Sequence, residues 1–368
     1  MLDLAGFAIA LIITLALVPL VRRKAIAAGY YDAPGERKIH KYPIPRLGGI
    51  AIWLGFMLAL GTISLFQPEG YSLTTALPGV LAGGAIVFIL GLLDDLFNLS
   101  PYLKLIIQFV AALTAFGLGV QINTLDLPGA QLLVLNALSL PVTVIWIVGL
   151  MNAMNFIDGI DGLAAGVTTL SALTLTVVAI FTHQPSSALL ASLLVGASLG
   201  FLVFNFHPAK IFMGDSGALF CGFVLACIAV TGVLKTKVVV MLLPMFVLSV
   251  PILDITYSVF RRILRGKNPF LPDADHIHHQ FLKAGIGQIR TVTYLYSLCV
   301  VGGLIAVWYV NYTHIYIASL IGMFLLAFVL IRIVRKLYPV NGQVAEGSNN
   351  YSSIEISNSD KVETGHPL

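Results

Sequence analysis

Residues 2–21 read Leu-Asp-Leu-Ala-Gly-Phe-Ala-Ile-Ala-Leu-Ile-Ile-Thr-Leu-Ala-Leu-Val-Pro-Leu-Val, and Arg22, Arg23 and Lys24 follow at once. As a helix, a stretch of about 20 residues rises roughly 30 Å, the thickness of a bilayer's hydrocarbon core. A secretory signal peptide carries its basic residues before the apolar stretch. Here they come after it, so the segment is expected to remain as an uncleaved first transmembrane helix.

Ten further apolar runs follow, at residues 47–66, 75–93, 104–121, 132–152, 163–182, 187–206, 217–234, 238–260, 291–310 and 315–334. The expected fold is an all-α polytopic membrane protein with about eleven transmembrane helices. Pro141 interrupts the fifth run, which membrane helices tolerate when neighbours satisfy the freed backbone groups. Composition agrees: 58% of the 368 residues are hydrophobic and 10% charged, with a mean hydropathy of +0.93, values that exclude a soluble globular chain. Cys221, Cys227 and Cys299 lie in apolar runs without CxxC spacing, so neither a disulfide framework nor a zinc site is indicated. The net charge of +4 comes from residues flanking the spans, not from a basic patch interleaved with aromatics, and nucleic acid is not an expected partner.

With the N-terminus outside, nineteen of the 21 Lys and Arg residues fall on the inner side, and only Lys235 and Lys237 remain outside. That asymmetry obeys the positive-inside rule and sets the expected orientation, with a cytoplasmic C-terminus. Residues 1–338 are expected to form one transmembrane catalytic domain with its active site in cytoplasmic loops. Residues 339–368 turn polar without apolar periodicity and read as a disordered cytoplasmic tail.

This topology puts five of the 17 acids on one membrane edge: Asp94 and Asp95 in the second inner loop, Asp158 and Asp161 in the third, and Asp215 in the fourth. The bases nearby are Lys104 and Lys210, so gathering the carboxylates would be repulsive without a cation. Oxygen donors and no cysteine favour a hard divalent ion, Mg²⁺ or Mn²⁺. Each acid also has a structural reading. Asp94 and Asp95 would mark where a helix meets water, Asp161 would cap the sixth helix, and Asp215 would cap the eighth. Asn155, Asp158 and Asp161 recur every third position and would share one face of a helical turn.

The fifth inner loop carries His276, His278 and His279 beside Asp273 and Asp275, a cluster better suited to donating to phosphate than to holding zinc. Asp254 lies inside the ninth run near its inner end, two helical turns from Arg261, and is read as a structural or supporting partner.

Five motifs, in this order, resemble the polyprenyl-phosphate N-acetylhexosamine-1-phosphate transferase family, glycosyltransferase 4, in its WecA/TagO branch. They are Arg-Lys-Ile-His-Lys-Tyr-Pro-Ile-Pro-Arg-Leu-Gly-Gly (37–49), Gly-Leu-Leu-Asp-Asp (91–95) with Lys104, Asn-Ala-Met-Asn-Phe-Ile-Asp-Gly-Ile-Asp-Gly-Leu-Ala-Ala-Gly (152–166), Phe-Met-Gly-Asp-Ser-Gly (212–217) and His-Ile-His-His (276–279).

The resemblance implies transfer of N-acetylhexosamine 1-phosphate, with UDP-N-acetylglucosamine the preferred donor, to undecaprenyl phosphate. Undecaprenyl-diphosphate-GlcNAc and UMP would be the products, in the first membrane step of cell-envelope polysaccharide or teichoic acid synthesis. It implies Asp94 or Asp95 as the base or phosphate-orienting acid, with Asp94 preferred. Asp215 would be the principal Mg²⁺ ligand and Asp158 a further one, with Asn155, Asp158 and Asp161 shaping the nucleotide site. His276, His278, His279 and Lys104 would hold phosphates, and Lys38, His40 and Arg46 would assist the lipid phosphate or serve as topology anchors. A multi-pass protein of the bacterial inner membrane is implied; a homodimer is left open. The same chemistry on another UDP-sugar is the nearest alternative.

Two rivals fit less well. The CDP-alcohol phosphotransferase pattern requires an Arg that is missing after Asp161-Gly-Leu-Ala-Ala165. A cation-coupled transporter would carry its acids near the bilayer midplane and not at one edge.

Overall fold

The computed structural model describes residues 2–32, 44–66, 75–125, 133–233 and 285–311, together with Leu248, Val250, Pro251, Ile252, Asp254, Thr256 and Phe281. The expected spans at 238–260 and 315–334 and the tail at 339–368 lie wholly or mostly outside these residues. So do Lys38, His40, His276, His278, His279 and Arg261.

The described helices are α1 (Leu2–Ala27), α2 (Gly48–Leu65), α3 (Leu77–Phe97), α4 (Pro101–Gly117), α5 (Ser139–Ile157), α6 (Leu163–Phe181), α7 (Pro185–Asn205), α8 (Gly214–Ile228) and α9 (Gln288–Asn311). Two short antiparallel pairs close the α1–α2 and α4–α5 connections: β1 (Tyr31–Asp32) with β2 (Ile44–Pro45), and β3 (Thr124–Leu125) with β4 (Leu133–Val134). Eight helical segments among the described residues are long and apolar enough to cross a membrane. The chain is a polytopic, predominantly helical membrane protein. α4 is shorter than the expected fourth span, because its 17 residues rise only about 25 Å.

The fifth helix also begins later than the apolar run suggested. A 3-10 turn at Asn136–Leu138 leads into α5, which puts Pro141 in its first turn, where a missing N–H breaks no intrahelical bond. The helix therefore runs on to Ile157 instead of stopping near 152, and carries Asn155 in its last turn.

Burial ranks the helices. In α8 with its π-helical continuation 89% of the membrane-length window is buried, against 22% in α1, so α8 is the centre of the bundle and α1 lies at its rim. α8 packs on α2, α3 and α5, while α1 packs on α7 and α2, and α9 lies along α6.

The start of α8 is wedged among the ends of its neighbours. The Phe212 N–H donates to the Pro45 carbonyl at 2.7 Å, and the Gly48 and Gly49 N–H groups donate back to Phe212 and Met213 carbonyls at 3.0 and 2.8 Å. On the other side Gly91, one turn before Asp95 in α3, touches the Ser216 backbone so closely that a Cβ there would collide with it. Gly91→Ala should therefore force α3 and α8 apart and destabilise the protein by about 1–3 kcal/mol, read as a lowered thermal midpoint in detergent. Gly61→Ala, on α2 with nothing within 4 Å of the added methyl, should leave the midpoint unchanged.

Candidate active site

The acids at 94 and 95 are neighbours in sequence with different surroundings, because one helical residue turns the side chain by about 100°. Asp94 is buried, 7% exposed, and does not mark a helix meeting water. Its Oδ1 accepts the Leu99 N–H at 2.7 Å, fastening the turn in which Asn98 takes a left-handed conformation (φ 51°) and ends α3. Ser100 then caps α4 through the Leu103 N–H, with Pro101 as its first residue. This tight α3–α4 turn brings Lys104 back over Asp94, with Nζ 2.7 Å from Oδ2.

Asp95 instead faces α8. Its Oδ1 accepts the Asp215 N–H at 2.8 Å, and its Oδ2 accepts the Ser216 N–H at 3.1 Å and the Ser216 hydroxyl at 2.6 Å. The cap of the eighth helix expected from Asp215 is thus supplied by Asp95 from another helix. The residue at the N-cap position, Met213, makes no side-chain cap, and Asp215 sits in the first turn. Gly214, at φ +73°, has Asp95 oxygens and the Arg46 carbonyl where a side chain would begin.

The Asp215 carboxylate receives Lys104 Nζ at 3.2 Å on Oδ2 and the Asn155 amide at 3.0 Å on Oδ1. Lys104 therefore bridges Asp94 and Asp215. One turn deeper, Gln108 of α4 and Asn152 of α5 exchange amide hydrogen bonds at 2.7 and 3.4 Å, which holds the helices bearing Lys104 and Asn155 in register.

Asp158 terminates α5 and is not part of a continuing turn, so the expected common face of Asn155, Asp158 and Asp161 ends at Asp158. Burial, followed by the charges of Asp215 and Asp95, pushes the Asp158 carboxyl well above the ordinary carboxylate range, with Arg46 opposing. Among the described residues none donates a hydrogen bond to that carboxylate. Asp161 turns away: its Oδ2 meets His207 Nδ1 at 2.8 Å and the Ala209 N–H at 3.1 Å. It is not the cap of α6, whose N-cap residue is Gly162. Arg46 borders an open cleft of about 230 Å³ shared with Gly29, Tyr30, Tyr31, Leu47, Asp95 and Asn98. Asp254 is buried, 2% exposed.

Asp94, Lys104, Asn155 and Asp215 thus form one bonded cluster, with Asp95 behind it and Asp158 coupled to it electrostatically. Among the described residues, no three His, Cys, Asp or Glu side chains converge closely enough to hold a metal by themselves. Sequence reasoning passed over Ser216, Asn205, His207 and Tyr296. Asn205 joins the two acidic loops, accepting the Gly162 N–H at 3.1 Å and donating to the Ile211 carbonyl at 2.9 Å. Its only sequence signal is a polar residue at the inner end of an apolar run.

A family model described as glycosyl transferase family 4 matches residues 77–233, the stretch that holds every member of this cluster. The chain is 34% identical over 295 residues to a probable undecaprenyl-phosphate N-acetylglucosaminyl 1-phosphate transferase of Bacillus subtilis, covering 80% of this chain and 81% of that protein. It is 36% identical over 321 residues to a decaprenyl-phosphate N-acetylglucosaminephosphotransferase of Mycobacterium tuberculosis, covering 80% and 79% respectively. An undecaprenyl-phosphate alpha-N-acetylglucosaminyl 1-phosphate transferase of Salmonella typhi is 29% identical over 273 residues, covering 72% of each chain. Similarity of this extent, spanning the helices that build the acidic cluster, makes the chain a member of glycosyl transferase family 4, among the polyprenyl-phosphate N-acetylhexosamine-1-phosphate transferases.

Proposed function

We propose that this protein transfers N-acetylglucosamine 1-phosphate from UDP-N-acetylglucosamine to undecaprenyl phosphate, releasing UMP. The observation that carries the reading is the bonded cluster of Asp94, Lys104, Asn155 and Asp215, with Asp158 coupled to it by charge, drawn from the ends of α3, α4, α5 and α8 at one edge of an apolar bundle. A lipid acceptor presents its phosphate at the membrane boundary, and a nucleotide sugar arrives from water, so a polar site at that boundary is where they meet. Eleven spans, an outer N-terminus and a cytoplasmic C-terminus in the bacterial inner membrane complete the arrangement, because that orientation turns the acidic loops toward the cytoplasmic donor.

In the reaction an oxygen of the lipid phosphate attacks the β-phosphorus of the donor. One P–O bond forms as the bond to the bridging oxygen breaks, and the electron pair leaves with UMP. The family resemblance assigns Asp94 the orienting or proton-accepting role toward the lipid phosphate, with Lys104 held on its Oδ2, while Asp95 serves the N-terminus of α8. Lys104 contributes a fixed positive charge beside the reacting phosphates, and Asn155 keeps the Asp215 carboxylate turned toward it. Asn155 shapes the nucleotide site directly and Asp161 does so by anchoring the loop that bears Asp158, and the family resemblance adds Lys38, His40, Arg46, His276, His278 and His279 as hydrogen-bond donors to the phosphates.

The residues fit a hard divalent cation, Mg²⁺ before Mn²⁺. The donors are oxygens, and burial followed by the neighbouring acids disfavours ionisation of Asp158, a penalty that a cation would relieve. Asp215 and Asp158 would hold it, with diphosphate oxygens and water completing its shell, as suits an ion that dehydrates reluctantly. Bound there, it would neutralise diphosphate charge and favour departure of UMP.

Purified protein given undecaprenyl phosphate and UDP-N-acetylglucosamine should release UMP, measured by chromatography. EDTA should abolish the release and excess Mg²⁺ restore it. Asp215→Asn should lower kcat about a hundredfold while helical circular dichroism is retained. Decaprenyl phosphate assayed in parallel sets the acceptor preference. The transferase reading fails if no member of a UDP-N-acetylhexosamine panel yields UMP or a lipid-linked sugar.

A further inference from the structure

The loop between α5 and α6 carries Asp158 and Asp161, and its own backbone bonds run from the Asp158 N–H to the Asn155 carbonyl at 3.3 Å, from the Leu163 N–H to the Ile160 carbonyl at 3.1 Å and from the Gly166 N–H to the Gly162 carbonyl at 2.9 Å. Asp158 leaves the helical region at ψ 41°, and α6 starts from Gly162 at φ +78°, a residue with no side chain to cap the helix. Partners from other elements fasten the loop to the rest of the bundle. On one side Asn205 accepts the Gly162 N–H, while His207 and the Ala209 N–H meet Asp161. From α9, Tyr296 donates its hydroxyl to the Gly162 carbonyl at 2.5 Å. The tyrosine reaches this carbonyl because residue 166, one turn into α6, is glycine: a Cβ there would collide with the Tyr296 hydroxyl and ring.

We propose that Tyr296 is a positioning residue for the acidic loop, its hydroxyl on the Gly162 carbonyl setting where Asp158 and Asp161 stand relative to Asp215. The inference rests on the transferase reading above and adds to it a residue outside the motifs that carry the resemblance. The Asp158 carboxylate accepts no hydrogen bond among the described residues, so its place depends on the backbone that bears it, and that backbone runs into the Gly162 carbonyl, which accepts both the Gly166 N–H and the Tyr296 hydroxyl. The ring itself is fixed, because α9 lies along α6 and the space left by Gly166 admits it in one place. Removing only the hydroxyl would keep this packing and release the loop at one of its attachments.

Tyr296→Phe should raise the KM for UDP-N-acetylglucosamine on the order of fivefold, the equivalent of one hydrogen bond, and leave the KM for undecaprenyl phosphate within about twofold. The thermal midpoint in detergent should stay close to that of the wild type. Combined with Asp161→Asn, the effect should be smaller than the product of the single effects, since both act through one loop. Gly166→Ala, which displaces the ring, should reproduce the selective rise in donor KM. An unchanged donor KM in Tyr296→Phe, purely multiplicative effects, or a parallel loss of both KM values together with the thermal midpoint would overturn the proposal. Wild-type protein inactive with every donor would instead remove the transferase reading, and that result precedes any comparison of variants.

Discussion

Both oxygens of Asp95 are taken by the N-terminus of α8, through two backbone N–H groups and the Ser216 hydroxyl. A helix start presents unpaired donors and the positive end of its dipole, so an anion seated there is stabilised, and at the edge of an apolar bundle water competes weakly for those donors. The carboxylate comes from α3, which makes the cap a tertiary junction. It locks the central helix of the bundle to α3, and the missing side chain at Gly91 lets the backbones come close enough for it to form. Since the N–H of Asp215 is itself one of the capped groups, the junction also sets the direction in which the Asp215 side chain leaves the helix.

From that direction the charge arrangement follows. Asp215 meets Lys104, Lys104 meets Asp94, and Asn155 completes the contacts of Asp215 from α5. The amide pair of Gln108 and Asn152 continues the α4–α5 contact one turn deeper. One lysine thus serves two carboxylates, and the ionisation of Asp158 is opposed by its burial and then by the charges of Asp215 and Asp95. A purely structural ion pair would be balanced. Among the described residues the carboxylates of Asp94, Asp95, Asp158 and Asp215 outnumber the cations Lys104 and Arg46 near them, which is the condition expected of a site completed by substrate phosphate and a divalent ion.

The apolar runs among the described residues and the membership of Asp94, Lys104, Asn155, Asp158 and Asp215 in one neighbourhood were legible beforehand. Each depends on local pattern: run length against bilayer thickness, and polar residues bunched at the ends of apolar helices. Other features were not legible for equally physical reasons. Adjacent acids at 94 and 95 cannot be told apart by position, since their roles depend on which neighbour each helix face meets. The Asn155, Asp158, Asp161 spacing suggested a continuing turn, but α5 ends at Ile157, and Asp161 is drawn to His207 and Ala209, beyond the whole of α6 and α7.

The amino-acid sequence by itself determined that the chain crosses a membrane many times and keeps its carboxylates at one boundary, because hydropathy and charge act residue by residue against the lipid. Only the tertiary structure decided which carboxylate caps a helix, which pairs with Lys104 and which is left without a hydrogen-bonding partner among the described residues. It likewise brought Tyr296 to Gly162, 134 positions away in the chain. Such roles come from how helices pack, and close packing places atoms by contact and not by order along the chain.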